Sequence, residues 1–186
     1  MAFEEATLVS PAWWPCYLLL SGGDIHQANL GSPVSGRVFF TPFWFPRPAR
    51  ISKLAITPTI VSGLTGIKLG IYTDNGFTPQ GGTLLGDTGG LDASSANPLI
   101  GSLSPTIKVP AGIVWVGVMF QDSTSSIVIT QLNELNQYFI DLPGEDMAGA
   151  QFDNPAGYGP FPAICPTVTQ DPTNIPLVYA RVDSFD

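Results

Sequence analysis

The chain has 186 residues, of which 44% are hydrophobic and only 12% charged, with 20 Gly and 18 Pro. An ordinary domain is about a quarter charged, so uncharged polar residues replace the missing charge here, and the Gly and Pro density excludes long helices. The net charge is −8, and the stretch between Val109 and Ala180 has no Lys or Arg but seven acids; duplex DNA and anionic membranes both require clustered cations, so neither nucleic acid nor membrane insertion is an expected partnership.

The length suits one domain with a sizeable core. Residues 1–36 are irregular, with Pro11, Pro15 and Pro33. They read as an extended N-terminal arm, followed by a single β-sandwich domain over 37–186. Trp13, Trp14 and Tyr17 make the arm too apolar for a free tail. Contacts to a neighbouring molecule are therefore expected of it, with an extra strand on its own domain as the alternative. Glu4 and Glu5 stand where an export signal requires positive charge. The apolar run at 16–20 is too short to span a bilayer. Synthesis in a cytoplasm is the simplest expectation, and it makes Cys16 and Cys165 free thiols rather than a disulfide.

Residues 37–45 read as a strand rich in β-branched and aromatic side chains, with Pro42 marking an edge or a bulge. Residues 51–60 follow as a second strand. In 67–72, Ile67, Leu69 and Ile71 share one face. Asp74-Asn75-Gly76 reads as a turn. Further strands are expected over 81–85 and 105–109, then a tight turn at Pro110-Ala111-Gly112. The strongest strand is 113–120, apolar on both faces, which predicts a central position or a covering neighbour. Residues 126–130, 137–142 and 177–182 complete the set, and 131–139 has room for a helical turn or two. The stretch 142–176 reads as a long connection, of a kind usually functional or held down by a partner. Short strands at regular spacing with Gly, Pro and Asn turns define an all-β fold of sandwich or jelly-roll type.

Catalytic signals are poor. His26 is the one histidine, in a turn-like context, and any Ser-His-Asp set would have to use it. One His and two distant Cys fall short of a zinc site. Asp141, Glu145 and Asp146 lie close enough in sequence to suggest a carboxylate pair or a calcium loop, but a solvated acidic surface is the reading preferred for them. No catalytic residue, metal or cofactor is assigned. The aromatic residues say more: Phe39, Phe40, Phe43, Trp44 and Phe45 crowd one segment. Core packing accounts for about half of the aromatic load, and the remainder are interface candidates: Trp13, Trp14, Tyr17, Phe43, Trp44 and Phe45. A sugar-stacking platform is the alternative use.

Three segments carry a family resemblance: Val38-Phe39-Phe40-Thr41-Pro42-Phe43-Trp44-Phe45-Pro46-Arg47-Pro48-Ala49-Arg50-Ile51, then Leu69-Gly70-Ile71-Tyr72-Thr73-Asp74-Asn75-Gly76 with Pro79 to Leu85, then Ile107 to Val116. Together with Pro160-Phe161-Pro162-Ala163 and Val178 to Val182, these resemble the jelly-roll-like β-sandwich module of tailed-bacteriophage virion surface proteins. The resemblance implies a non-enzymatic structural protein of the virion, made in the host cytoplasm. Capsid decoration (cement) is the expected role, and a tail-tip or fibre module recognising host-surface carbohydrate is the alternative. It implies as partners the chain itself, often as a homotrimer, and the major capsid protein or other virion proteins, with a host-surface glycan on the alternative reading.

Overall fold

A computed structural model describes residues 12–15, 25–29, 34–94, 98–121, 126–132, 149–170 and 176–186. Among these residues the fold is all-β, with two antiparallel sheets packed face to face as a β-sandwich. One sheet has four strands in the order β1 (Ala12–Pro15), β14 (Val178–Phe185), β4 (Ala49–Ile56), β9 (Leu99–Val109). The other has seven. Its main order is β13 (Thr169–Gln170), β12 (Ala150–Asp153), β3 (Arg37–Phe45), β10 (Gly112–Phe120), β6 (Gly66–Thr73), β7 (Leu84–Asp87), and β8 (Leu91–Asp92) also pairs with β6. A separate three-stranded sheet joins β2 (Ile25–Asn29), β11 (Ser126–Leu132) and β5 (Pro58–Ser62).

Alternation along each strand decides what is buried. In β9 the period of two is plain: Leu99, Leu103, Ile107 and Val109 point inward, and Ile100, Ser102 and Lys108 point out. The core between the sheets is built from such inward sets. Phe39, Phe43 and Phe45 come from β3, Ile51, Leu54 and Ile56 from β4, Ile67, Leu69 and Ile71 from β6, and Val178, Ala180 and Val182 from β14. Phe39 meets Phe120 edge-on at 5.9 Å, and Phe43 stacks on Phe45 at 6.0 Å.

Strand β10 is buried from Val114 to Phe120 on both faces. It lies between β3 and β6. Val114, Val116, Val118 and Phe120 enter the inter-sheet core, while Trp115 and Met119 belong to a second apolar cluster on the sheet's other side. The chain itself closes that side. Phe161 and Cys165 cover it, with Tyr158 and Val168 packed alongside. The expectation of a structureless connection over 142–176 is thereby corrected for its described part, which contains β12 and β13 and lies on its own sheet. Backbone hydrogen bonds fasten it: Gly81 N–H to Cys165 O and Leu84 N–H to Ala163 O, both 2.9 Å. The Tyr72 hydroxyl adds a bond to Pro162 O at 2.7 Å, and Lys68 Nζ one to Gly159 O at 2.9 Å.

The close approach of this cover depends on glycine. Gly117 and Gly70 are cross-strand partners on the covered face. A Cβ at Gly70 would stand 3.0 Å from the Phe161 ring, and one at Gly117 would stand 2.9 Å from Val38 and 3.0 Å from Phe40. The two bare positions form the floor on which Phe161 and Phe40 lie.

Pro42 marks an edge, as its missing N–H requires. Strand β12 pairs with β3 only from Arg37 to Phe40, so from Pro42 onward β3 has β10 on one side alone. The expected strand at 51–60 is two strands, β4 and β5, interrupted at Thr57. The expected turn at Asn75-Gly76 is part of a longer loop, where positive φ falls on Gly76 (75°) and Phe77 (66°). Strand β9 begins at Leu99, six residues before the expected 105. Of the helical turn expected over 131–139, residues 131–132 are instead the end of β11, and the rest of it, with the strand expected over 137–142, lies outside the described residues.

Candidate functional site: the outer faces of the sheets

Six large apolar side chains stand exposed among the described residues: Trp13, Val34, Trp44, Phe77, Ile100 and Ile164. Two of them, Trp13 and Trp44, were expected at an interface.

Trp44 faces out because its neighbours face in. Phe43 and Phe45 are each 1% exposed and belong to the inter-sheet core, which removes them from the interface set. The physical reason is the period of two: a crowded aromatic run in a strand must send alternate members to opposite sides. Trp44 is 46% exposed and pairs across the ladder with Ile113, beyond the reach of the cover that closes the rest of that face.

Trp13, 43% exposed, is carried by β1. That strand extends the four-stranded sheet by pairing antiparallel with β14, with Trp13 opposite Arg181 and Trp14 opposite Ala180. The described part of the arm therefore holds two strands, β1 on the four-stranded sheet and β2 in the three-stranded one. The Trp14 side chain and all of Tyr17 lie outside the described residues, as do Cys16 and the acids Asp141, Glu145 and Asp146. His26 is in β2, opposite Gln131.

The outer face of the four-stranded sheet gathers most of the chain's cations. Arg50, Lys53, Lys108 and Arg181 all project from it, four of the chain's seven basic residues. The other three are engaged elsewhere. Arg37 pairs with Asp153 at 2.7 Å, Lys68 lies 4.4 Å from the Tyr158 ring, and Arg47 lies over Phe185. On the cationic face, Lys108 meets Asp186 at 2.6 Å, Arg50 meets Asp186 at 3.5 Å, and Arg181 meets Asp183 at 3.6 Å. The hydrogen bond from Lys108 holds the Asp186 carboxyl below the usual range, so it stays ionised in mild acid.

The loop after β6 is tied down by a side-chain carboxylate. Asp74 accepts from the Trp115 indole at 2.7 Å and from Phe77 N–H at 3.0 Å. Those two bonds fix Phe77 at the loop tip, 41% exposed. Burial pushes the Cys165 thiol up to about 12, so this cysteine is a core side chain and a poor nucleophile. Where β7 meets β9, a cavity of about 280 Å³ is lined by Leu85, Asp87, Leu103, Pro105, Ile107 and Lys108. Its lining mixes apolar side chains with one acid and one cation, the latter already held by Asp186. Among the described residues, no three His, Cys, Asp or Glu side chains come together as a metal site.

Sequence reasoning missed the cationic face. Its four residues are scattered over 131 positions, and only the β1-β14-β4-β9 order brings them together. The signal was present in the alternation of β4, β9 and β14, but the strand order is not a local property.

No protein-family model matches the chain, and no curated protein matches it.

Proposed function

We propose that the chain is a non-enzymatic structural protein that works by surface contact, as a decoration (cement) protein on the capsid of a tailed bacteriophage. The observation that carries this reading is the placement of Trp13 and Trp44. Both are held half-exposed by strands, on the outer faces of two different sheets, rather than in either core. Large aromatics fixed on a rigid surface lose little conformational entropy on contact, which suits an adhesive surface. The virion assignment rests on the resemblance of the segments that form β3, β6 with its following loop, and the β9–β10 hairpin. The partners on this reading are neighbouring copies and the shell protein.

A second reading, a tail-tip or fibre module that binds host-surface carbohydrate, is favoured by Phe77, an aromatic presented at a loop tip clamped by Asp74. Location on the particle separates the two. Capsids purified without tails retain a decoration protein and lose a tail-tip protein. Absence of the chain from both capsids and tails overturns the virion assignment altogether.

A further inference from the structure

We infer that the outer face of the four-stranded sheet is a self-association surface, which takes the acidic surface of a second copy of this chain. The inference does not depend on the particle role, since it concerns the isolated chain.

Three observations carry it. The first is charge complementarity. The face bears Arg50, Lys53, Lys108 and Arg181 against two carboxylates, Asp183 and Asp186, on a chain whose net charge is −8. The rest of the molecule is therefore strongly acidic. Among the described residues, Asp87 and Asp92 stand exposed on β7 and β8, strands of the other sheet. A backbone N–H from Ser94 holds the Asp92 carboxyl low and charged.

The second is a like-charge pair. Arg181 and Lys53 are direct cross-strand partners, and no ion pair joins Lys53 to an acid among the described residues. Like charges directly opposite each other are unfavourable in a sheet. A carboxylate from outside placed between them would turn that repulsion into two attractions.

The third is the apolar content beside the charge. In register, Trp13, Arg181, Lys53 and Ser102 make one cross-strand row, and Pro15, Tyr179, Ala55 and Ile100 make the next. Trp13 and Ile100 are exposed at the two ends of these rows. Trp, Tyr and Arg are the side chains that dominate protein interfaces. An aliphatic such as Ile100 gives a protein partner something to cover that an anionic polymer does not need. The two surfaces are different patches of one chain, so the contact is heterologous: it closes into a ring if the rotation permits and otherwise extends.

The test is sedimentation velocity on the full chain at low and high salt. Self-association at low ionic strength that weakens at least tenfold in 1 M NaCl is expected, because charged contacts are screened. The double variant Lys53→Glu with Arg181→Glu is expected to be monomeric under both conditions. The single variant Lys53→Glu keeps a favourable cross-strand pair with Arg181, so it guards against a folding failure, and it is expected to weaken association as well. A wild-type chain that stays monomeric at low salt and 100 µM overturns the inference, as does association that survives both variants. A monomer that instead binds dextran sulfate through these cations assigns the face to an anionic polymer and likewise overturns it. Capsid binding is read separately, so the failure of either proposal leaves the other standing.

Discussion

The two outer faces of this sandwich are finished in opposite ways. The seven-stranded sheet is apolar on both sides, and its outer side is roofed by the chain's own segment around Phe161 and Cys165. The four-stranded sheet alternates along most of β9 and β14, and among the described residues its outer side carries cations and Trp13. A strand buried on both faces signals a cover, and the cover here comes from the same chain. The motive for expecting a neighbouring copy on β10 therefore disappears. On the proposed function, contact with other molecules falls instead to the four-stranded sheet and to the end of β3 at Trp44.

Removing a residue between sheet and cover is expected to have the largest effect. Phe40 packs against Tyr72 at 5.5 Å and Phe152 at 5.8 Å. Phe40→Ala is expected to cost about 3–5 kcal/mol, read as a shift in the denaturant midpoint. A loss below about 1 kcal/mol would mean that the second cluster is not part of the cooperative fold. Next in size is Gly70→Ala. The added methyl meets the Phe161 ring, and overpacking of this kind costs about 1–3 kcal/mol. Thermal unfolding at unchanged solvent conditions checks it; an unchanged midpoint would place Phe161 off the sheet.

A smaller effect is expected at the edge where β12 joins β3. The hydrogen bond from Arg37 holds the Asp153 carboxyl below its usual value. A depressed folded-state value stabilises the fold fully above the unfolded value near about 4, and the gain is lost as pH falls through the folded one. Both side chains are substantially exposed, 30% and 59%, so solvent screening keeps the contribution under about 1 kcal/mol. Wild type and Arg37→Ala should differ at pH 7 and converge below the carboxylate range. A difference that grows in acid would contradict the pairing. Smallest of all is Trp44→Ala, expected to change stability by under about 0.5–1 kcal/mol because nearly half of that side chain is already in water. Phe43→Ala, one residue away, should cost several-fold more. Equal losses at the two positions would deny the alternation that separates interface from core.

Much of the fold was legible because strand periodicity is local. Residues 37–45 and 113–120 match β3 and β10 closely, since runs this rich in β-branched and aromatic residues favour strand even around Pro42 and Gly117. The weak strands were not legible. Ala12–Pro15 and Ala150–Asp153 exist because a neighbour offers a ladder, and nothing in their own composition demands it. The aromatic crowd at 39–45 is plain in the sequence, but only the pleat separates Trp44 from Phe43 and Phe45. The cationic face was least legible, for its members meet only through a strand order set by long-range pairing. The glycine pair Gly117 and Gly70 is a signal that could have been used, because two glycines inside strong strands mark a close approach.

The central claim is that β10 needs no second chain, because the roof over its outer side belongs to the same molecule. Hydrogen exchange on the protein held monomeric tests this most directly. The Gly81, Leu84 and Cys165 amides, which donate between loop and roof, are expected to exchange as slowly as amides within β10, since a roof that belongs to the fold opens only with it. Rapid exchange at those three amides, with β10 still protected, would contradict the account and return the outer side of the seven-stranded sheet to a partner.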